Sequence, residues 1–415
     1  MTVTQVEQEE IVGNERPANA TTAHFVQLEE TYGARNYHPL DVVIADSDGV
    51  WVYDVEGNKY LDCLSAYSAV SQGHCHPAIR QAAVDQMERV TLTSRAFRND
   101  QMGPFLKELS ELTGYEMALL MNSGAEAVET AIKAARKWGY QVKSVPDNQA
   151  EIIVCEGNFH GRTTTIVGFS SDAQYKEDFG PFAPGFVMIP YGDVDALEAA
   201  ITHNTVAFLF EPIQGEGGVV LPAEGFVSAA AGICARHEVL MVADEIQTGL
   251  GRTGALFACE HEDVRPDIMI VGKALSGGFY PVSAALADEN ILGLFRPGDH
   301  GSTFGGNPLG AAIGRAALKV IADEGLVERA RTLGAYFKGR LERIESDHIK
   351  EVRGKGLLIG VELHVSARPF SEALRERGIL CKETHETVLR FAPPLVISGD
   401  DIDWAISEIE AVLMD

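Results

Sequence analysis

Three polar or charged segments in the middle of the chain each come directly after a short apolar run. They are Asn122-Ser123-Gly124-Ala125 after Met117–Met121, Asp244 after Val239–Ala243, and Gly272-Lys273 after Ile268–Val271. If these runs are parallel strands of one sheet, their carboxyl ends meet at one edge, where open α/β sheets bind ligands. The three segments are therefore candidates for a single site.

The three segments offer different chemistry. A Ser-Gly turn ahead of a helix presents backbone N–H groups to a phosphate. The alternative is a tight strand-to-helix turn with a serine cap and no ligand, which has the same sequence pattern. A carboxylate such as Asp244 at a buried strand end costs several kcal/mol unless a cationic group pairs with it; the alternative is a helix cap. Desolvation of Lys273 would lower the pKa of its amine and make it nucleophilic, unless the lysine is exposed on a loop.

Together, the three segments match the needs of one cofactor. Pyridoxal 5′-phosphate requires an anion site, an acid for its pyridinium nitrogen and a lysine for its Schiff base. The acid keeps the ring nitrogen protonated, so that the ring can take up the electrons left when the substrate loses a Cα proton. The combination predicts a pyridoxal-phosphate enzyme with Lys273 and Asp244 as catalytic residues.

The elements that position these segments show two kinds of periodicity. Nearly continuous apolar runs are typical of parallel strands covered on both faces, and a helical pattern follows the first run at Ala125–Tyr140. The runs are Met117–Met121, Ile152–Cys155, Val206–Phe210, Val239–Ala243 and Ile268–Val271. Runs that alternate with helices predict an α/β fold with a largely parallel sheet.

We divide the chain into three parts. Residues 1–60 form an N-terminal segment, whose polar first twenty residues are expected to be loose and whose remainder belongs to an antiparallel meander over 40–62. Residues 61–305 form a large cofactor-binding domain, and residues 306–415 form a small α+β domain that packs with the meander. The small domain is predicted from helices at Ala311–Ala322 and Asp400–Met414 and a strand at Leu357–Leu363.

Composition excludes several classes of partner. The chain has 415 residues, with 34 Lys and Arg against 60 Asp and Glu, for a net charge of −26. This balance argues against nucleic acid and anionic membranes as partners, and no apolar run reaches transmembrane length. The acidic start has no signal-peptide core, and six cysteines without a CxxC pair predict free thiols in a reducing cytoplasm. His74-Cys75-His76 lacks further ligands at zinc-like spacing, so we predict no metal site.

From about Tyr32 to its C-terminus, the chain resembles the class III, or ω-amino, aminotransferases, a family of pyridoxal-phosphate enzymes of fold type I. The matching blocks are YGARNYHPL (32–40), YSAVSQGHCHP (67–77), TLTSRAF (91–97), GNFHGRT (157–163), EPIQGEGGV (211–219), ADEIQTGLGRTG (243–254), GKALSGGFYPVSA (272–284), GSTFGGNPLG (301–310), RGKGLL (353–358) and RFAPPL (390–395). The resemblance implies a large domain with a mostly parallel central sheet, a small α+β domain, and pyridoxal 5′-phosphate as cofactor.

The resemblance also implies a role for each cofactor-binding residue. Lys273 would form the Schiff base and carry the proton between the substrate and the cofactor, and Asp244 would pair with the ring nitrogen. The other contacts would be Gln247 with the ring 3-hydroxyl oxygen, Phe159 on the ring face, and the backbone N–H groups of Gly124 and Ala125 with the phosphate. Ser302 and Thr303 would reach the phosphate of the neighbouring subunit, so a homodimer is expected.

Within the family, three features favour ornithine over its acetylated form as the substrate: Tyr37, the YSAVSQGHCHP block and the TLTSRAF block. The implied reaction is ping-pong: L-ornithine and 2-oxoglutarate give L-glutamate 5-semialdehyde and L-glutamate through pyridoxamine phosphate, which links arginine and proline metabolism. Arg162, helped by Tyr37, would bind the α-carboxylate of ornithine and the distal carboxylate of glutamate. Arg390 would bind the α-carboxylate of glutamate, and Glu216 would mask it during the ornithine step. Tyr67 would line the channel near Arg390; structural ion pairs and a core tyrosine are the alternatives.

Two departures from the pattern keep other substrates open. His160 stands where eukaryotic members that act on ornithine have Trp, and Ser123-Gly124-Ala125 stands where they have Thr-Gly-Val. Both changes are closer to members that act on N-acetylornithine or other ω-amino compounds such as 4-aminobutyrate. Outside the family, a dinucleotide-dependent oxidoreductase is disfavoured because no G-x-G-x-x-G opens a helix after a strand. A cofactor-free binding or structural dimer is a third possibility.

Overall fold

Residues 21–414 are described in a computed structural model of the chain, and the first twenty residues, expected to be loose, lie outside them. The strands are β1 Ile44–Asp48, β2 Trp51–Asp54, β3 Lys59–Asp62, β4 Met117–Met121, β5 Glu151–Cys155, β6 Phe186–Ile189, β7 Thr205–Phe210, β8 Leu240–Asp244, β9 Ile268–Val271, β10 Ser283–Ala287, β11 Ile349–Lys355, β12 Leu358–Leu363, β13 Ile379–Leu380, β14 Lys382–Thr384 and β15 Val388–Phe391.

Helices cover these strands. They are α1 Thr22–Tyr32, α2 Ser65–Ser68, α3 Pro77–Met87, α4 Met102–Thr113, α5 Gly124–Gln141, α6 Thr164–Gly168, α7 Val194–Ala200, α8 Phe226–Arg236, α9 Glu289–Leu292, α10 Pro308–Asp323, α11 Leu326–Leu341, α12 Arg368–Glu376 and α13 Gly399–Met414, with 3₁₀ turns at Ala258–Glu262 and Lys273–Ser276. Within residues 21–414, no helix is long and apolar enough to cross a membrane.

The central sheet has seven strands in the order β4-β10-β9-β8-β7-β5-β6. Of these, β10 runs antiparallel to both of its neighbours, and the other neighbouring pairs are parallel. The two faces of β7 show why its sequence is continuously apolar. Ala207 and Leu209 pack in the cluster that contains α5, whereas Phe208 and Phe210 pack with Phe226 of α8. The predicted α/β fold with a mostly parallel sheet is confirmed.

This topology brings the three predicted segments to one edge of the sheet. Because β4 and β9 are both antiparallel to β10, they point the same way as β8. The residues after Met121 and Val271 and the last residue of β8, Asp244, therefore lie at the same side.

Two smaller sheets complete the fold. The predicted meander forms β1, β2 and β3, and β3 pairs in parallel with β13 from the C-terminal part of the chain. The other sheet has the order β11-β12-β15-β14, in which Arg390 of β15 lies opposite Gly360 of β12. Domain boundaries at residues 60 and 305 stay a prediction.

Helix α11 approaches the turn between β11 and β12 closely, and the stability of two glycine variants can test this packing. A Cβ on Gly334 would lie 2.1 Å from the carbonyl carbon of Gly356, whereas a Cβ on Gly339 in the same helix would meet nothing within 4 Å. We expect Gly334→Ala to lower the free energy of unfolding by at least about 1–3 kcal/mol because the backbone must move. Gly339→Ala should raise it by about 0.5–1 kcal/mol through helix propensity. Denaturant unfolding measures both, and equal effects would contradict the packing.

Candidate active site

Lys273 follows β9 and opens a 3₁₀ turn with a left-handed backbone (φ 44°). Desolvation lowers the pKa of its amine; the nearby carboxylate of Glu216 opposes this shift and the guanidinium of Arg390 adds to it. Among the described residues, the amine makes no ion pair or hydrogen bond. A desolvated amine without a bonded partner is suited to nucleophilic attack and proton transfer.

Asp244 lies at the end of β8 with its side chain buried. One carboxylate oxygen, Oδ1, accepts from the backbone N–H of Ile246 at 3.1 Å. The other, Oδ2, is 2.7 Å from Nδ1 of His160, which is also buried. Burial by itself would lower the pKa of His160, but the hydrogen bond and charge of Asp244 raise it overall.

The turn after β4 is organised as a helix N-terminus. Ser123 is the N-cap of α5 and forms a capping box with Glu126: its hydroxyl accepts from the Glu126 N–H, and the Glu126 carboxylate accepts from the Ser123 N–H at 2.8 Å. The N–H groups of Gly124 and Ala125 belong to the first turn and have no intrahelical acceptor. They are oriented by the helix for an anion.

These groups line one cavity of about 200 Å³. Its walls are Gly124, Ala125, Phe159, His160, Gly161, Glu211, Ile213, Glu216, Asp244, Ile246, Gln247, Thr248 and Lys273. An aromatic ring, a buried acid, a lysine and a helix N-terminus thus face one enclosed space. The side-chain oxygen of Gln247, Oε1, is buried and has no partner among residues 21–414. The set of groups fits pyridoxal 5′-phosphate.

Gln247 takes part in the cavity through both ends of its amide. Its nitrogen donates to Glu216 Oε1 at 3.2 Å and to the backbone oxygen of Tyr67 at 3.4 Å. The nitrogen is therefore already engaged, and the predicted contact of Gln247 with the ring 3-hydroxyl oxygen stays a prediction.

A larger cavity of about 1160 Å³ adjoins the first one, because Glu216 lines both. The fold brings together in this larger cavity three of the residues predicted to bind substrate: Tyr37, Tyr67 and Arg162. The guanidinium carbon of Arg162 lies 3.7 Å from the ring centroid of Tyr175. Within the described residues, the guanidinium group makes no hydrogen bond or ion pair. Such a guanidinium is available for a carboxylate.

Arg390 is in the opposite state. It is almost fully buried, and its Nη1 donates to Glu216 Oε1 at 2.6 Å and to the backbone oxygen of Gly215 at 3.2 Å. Burial alone would raise the pKa of Glu216, but Arg390 and Lys273 lower it overall. The guanidinium also faces the ring of Tyr67 at 5.1 Å.

Ser302 and Thr303 do not line the cofactor cavity of their own chain. Ser302 accepts from the side-chain amide of Asn122 at 2.9 Å and from the N–H of Gly305 at 3.1 Å. Their contact with a neighbouring subunit stays a prediction.

Two further residues of the site are absent from the sequence-based predictions. Glu211 directly follows β7 and accepts from the Phe159 N–H at 2.9 Å; burial raises its pKa to about 7, with the charge of His160 opposing. Its position after an apolar run is the same signal that marks Asp244 and Lys273. Tyr175 stands in a segment without a motif, so no sequence signal identifies it.

Residues 32–413 match the family described as aminotransferase class III. The chain belongs to the class III aminotransferases. It is 62% identical to the ornithine aminotransferase of Brevibacillus brevis, over 94% of this chain and 97% of that protein. It is also 62% identical to the ornithine aminotransferase of Bacillus subtilis, over 95% of this chain and 99% of that protein. The resemblance inferred from the motifs is confirmed.

Solved structures of the family are similar throughout. Ornithine aminotransferase from Toxoplasma gondii ME49 has a TM-score of 0.94 and 45% identity, over 95% of both chains. Another structure of the T. gondii enzyme, described with partial occupancy of PLP at the active site, has a TM-score of 0.94 and 46% identity, over 95% of this chain and 94% of that chain. Acetylornithine aminotransferase from Elizabethkingia anophelis has a TM-score of 0.87 and 48% identity, over 95% and 99%. The protein is thus a pyridoxal-phosphate-dependent transaminase.

The raised pKa of Glu211 predicts a pH-dependent stability. Because the pKa of about 7 in the folded enzyme lies above the ordinary value of 4.5 for a glutamic acid, the stabilising contribution of the protonated acid is present below about pH 4.5 and is lost as the pH rises through 7. Glu211→Gln removes this ionisation. In the cofactor-free enzyme, the variant should therefore gain about 1–3 kcal/mol of stability relative to wild type between pH 5 and pH 8.

Urea unfolding at both pH values measures that gain. Glu410→Gln replaces an exposed acid and serves as the control, which should keep the wild-type pH dependence. A Glu211→Gln variant that parallels the wild type across this range would contradict the prediction.

Proposed function

We propose that the enzyme transfers the δ-amino group of L-ornithine to 2-oxoglutarate, giving L-glutamate 5-semialdehyde and L-glutamate in a ping-pong reaction. The observation that carries this proposal is the different state of two arginines near the cofactor cavity. Within the described residues, Arg162 has no carboxylate partner, whereas Arg390 is paired with Glu216. One site can thereby accept a substrate with one carboxylate or, once the pair opens, a substrate with two. Relatives that are 62% identical and named ornithine aminotransferases support the same substrate.

In the ornithine step, the substrate binds through its far end. Arg162, with the hydroxyl of Tyr37 beside the same cavity, holds the α-carboxylate, which directs the δ-amine toward Lys273. Glu216 neutralises Arg390 in this step, so that the cationic substrate meets no unpaired guanidinium.

In the glutamate step, two carboxylates must be bound. Arg162 takes the distal carboxylate, and Arg390 takes the α-carboxylate after Glu216 swings away. Tyr67, whose ring faces Arg390, lines the space in which the α-carboxylate lies. The α-amine then occupies the position that the δ-amine of ornithine took.

Pyridoxal phosphate, when bound, supplies an electron sink for the carbanion formed at the substrate. The residues that would hold it are Lys273 through a Schiff base, Asp244 at the ring nitrogen, Phe159 on a ring face, Gln247 at the 3-hydroxyl oxygen, and Gly124 and Ala125 at the phosphate. The lowered pKa of Lys273 favours the neutral amine, whose Nζ can accept the proton from the substrate carbon and return it during the reaction.

The assembly and location of the enzyme are part of the same proposal. Ser302 and Thr303, which stand outside the cavity of their own chain, would complete the phosphate site of a second subunit in a homodimer. Light scattering of the purified enzyme tests the dimer. Six cysteines without a disulfide in the described chain support a reducing compartment, and we place the enzyme in the cytoplasm.

N-acetylornithine is the second candidate substrate, because an acetylornithine aminotransferase is 48% identical to the chain with a TM-score of 0.87. Mixing the holoenzyme with single amino acids separates the two functions. We expect L-ornithine to bleach the cofactor absorbance at least about tenfold faster than N-acetylornithine or 4-aminobutyrate, a difference of about 1.4 kcal/mol in transition-state binding. Lys273→Ala should show no bleaching with any amine. Faster bleaching by N-acetylornithine would overturn the ornithine assignment.

Glu216→Gln tests the masking of Arg390. Glutamine keeps the size of the side chain but leaves the buried guanidinium without its counter-charge, which disfavours the cationic substrate. We expect kcat/KM of the ornithine half-reaction to fall about tenfold or more, while that of L-glutamate stays within about threefold. Glu383→Gln is the control, since Glu383 lines the larger cavity but bonds Arg368 and Lys382. Equal losses in both half-reactions would argue against masking.

A further inference from the structure

We propose that His160 is a positioning residue that holds the carboxylate of Asp244 in the orientation needed to pair with the cofactor's ring nitrogen, and so strengthens cofactor binding. The inference rests on the proposed role of Asp244. The family resemblance supplies no role for His160.

The short contact between His160 and Asp244 constrains which atom donates. His160 Nδ1 and Asp244 Oδ2 are 2.7 Å apart, with side-chain exposures of 0% and 5%. A carboxylate that pairs with the cofactor's ring nitrogen can only accept hydrogen bonds, so we infer that the shared proton is carried by Nδ1. Asp244 is thus held by His160 on one oxygen and by the N–H of Ile246 on the other.

The other ring nitrogen identifies the charge state. Nε2 of His160 is buried and has no hydrogen-bond partner among residues 21–414. A proton there would be a buried donor without an acceptor, which is unfavourable. Asp244 and Glu211 favour the cation in the absence of the cofactor. When the cofactor is bound, Asp244 would already pair with a positive charge at the ring nitrogen, which disfavours a second cation on His160. The neutral ring with its proton on Nδ1 follows.

The loop that carries His160 is itself held rigidly. The N–H of Phe159 donates to Glu211 at 2.9 Å, and the ring of His160 packs against Phe169 with centroids 6.1 Å apart. Gly161 has a φ of 126°, and a Cβ there would lie 2.8 Å from the Cβ of Ala125. The same short segment therefore positions both Phe159, whose ring would face the cofactor, and His160, which orients the carboxylate of Asp244.

Three variants of the full-length enzyme test the hydrogen bond separately from packing. His160→Asn places an amide N–H near the position of Nδ1, whereas His160→Leu has a similar size and no donor. Phe169→Leu loosens the packing of the ring and leaves the hydrogen bond in place. The readouts are the dissociation constant of pyridoxal phosphate, obtained by titrating the cofactor-free protein, and the absorbance spectrum of the bound cofactor.

We expect His160→Leu to weaken cofactor binding about tenfold or more and to shift the spectrum, since a hydrogen bond to a charged group is lost. His160→Asn should stay within about threefold of wild type. Phe169→Leu should lower the unfolding temperature without changing the affinity. Unchanged affinity and spectrum in His160→Leu, or equal losses in the Leu and Asn variants, would overturn the proposal.

A measurement on the wild-type holoenzyme applies even where His160→Leu does not fold. The ¹⁵N shifts of His160 should show a protonated Nδ1 and an unprotonated Nε2; a proton on Nε2 would overturn the proposal. Both tests are independent of the substrate. A wild-type enzyme that does not transaminate ornithine would refute the proposed function and leave the comparison of cofactor affinities intact.

Discussion

The burial of both faces of the central sheet is the constraint on which the site depends. Every residue of β7 and β8 is buried, so a charged group on these strands can meet a ligand only where the strand ends. Glu211 follows β7, Asp244 ends β8, and Lys273 comes two residues after β9. Because parallel strands end at one edge, the sheet gathers ionisable groups that are far apart in the sequence into one small cavity.

Within that cavity, some ionisable groups have a bonded charged partner and others do not. Asp244 is bonded to His160 and Glu216 is bonded to Arg390, and the positive charges of Arg390 and Lys273 lower the pKa of Glu216 although its burial alone would raise it. Lys273 and Glu211 make no ion pair in the described chain, and burial shifts both toward their neutral forms: the pKa of the lysine falls, and that of the glutamic acid rises to about 7. Desolvation is unfavourable for the fold, but it favours the neutral form of the Lys273 amine, which is the form that its proposed role in transamination requires.

The sequence predicts the residues that strand ends and motifs expose, and it fails where packing between distant segments decides. Asp244 and Lys273 are predictable because each follows a continuous apolar run. The contact of His160 with Asp244 joins residues 84 positions apart, and no local pattern encodes it. β10 has the sequence SAALA, which has weak strand propensity, so its place between β4 and β9 comes from its neighbours. Domain boundaries and the subunit contact of Ser302 and Thr303 stay predictions.

The acidic composition of the chain makes the unpaired state of Arg162 notable. In a chain with a net charge of −26, acidic partners for a guanidinium are abundant, yet Arg162 is held by the rings of Tyr175 and Phe159 and by no carboxylate among residues 21–414. A cation–π contact orients the group without neutralising it, so its charge and its hydrogen-bond donors stay available, as the proposed binding of a substrate carboxylate requires. Surface charges beyond about 8–10 Å are screened at physiological salt. An acidic surface is therefore compatible with the proposed recognition of a dicarboxylate through local contacts.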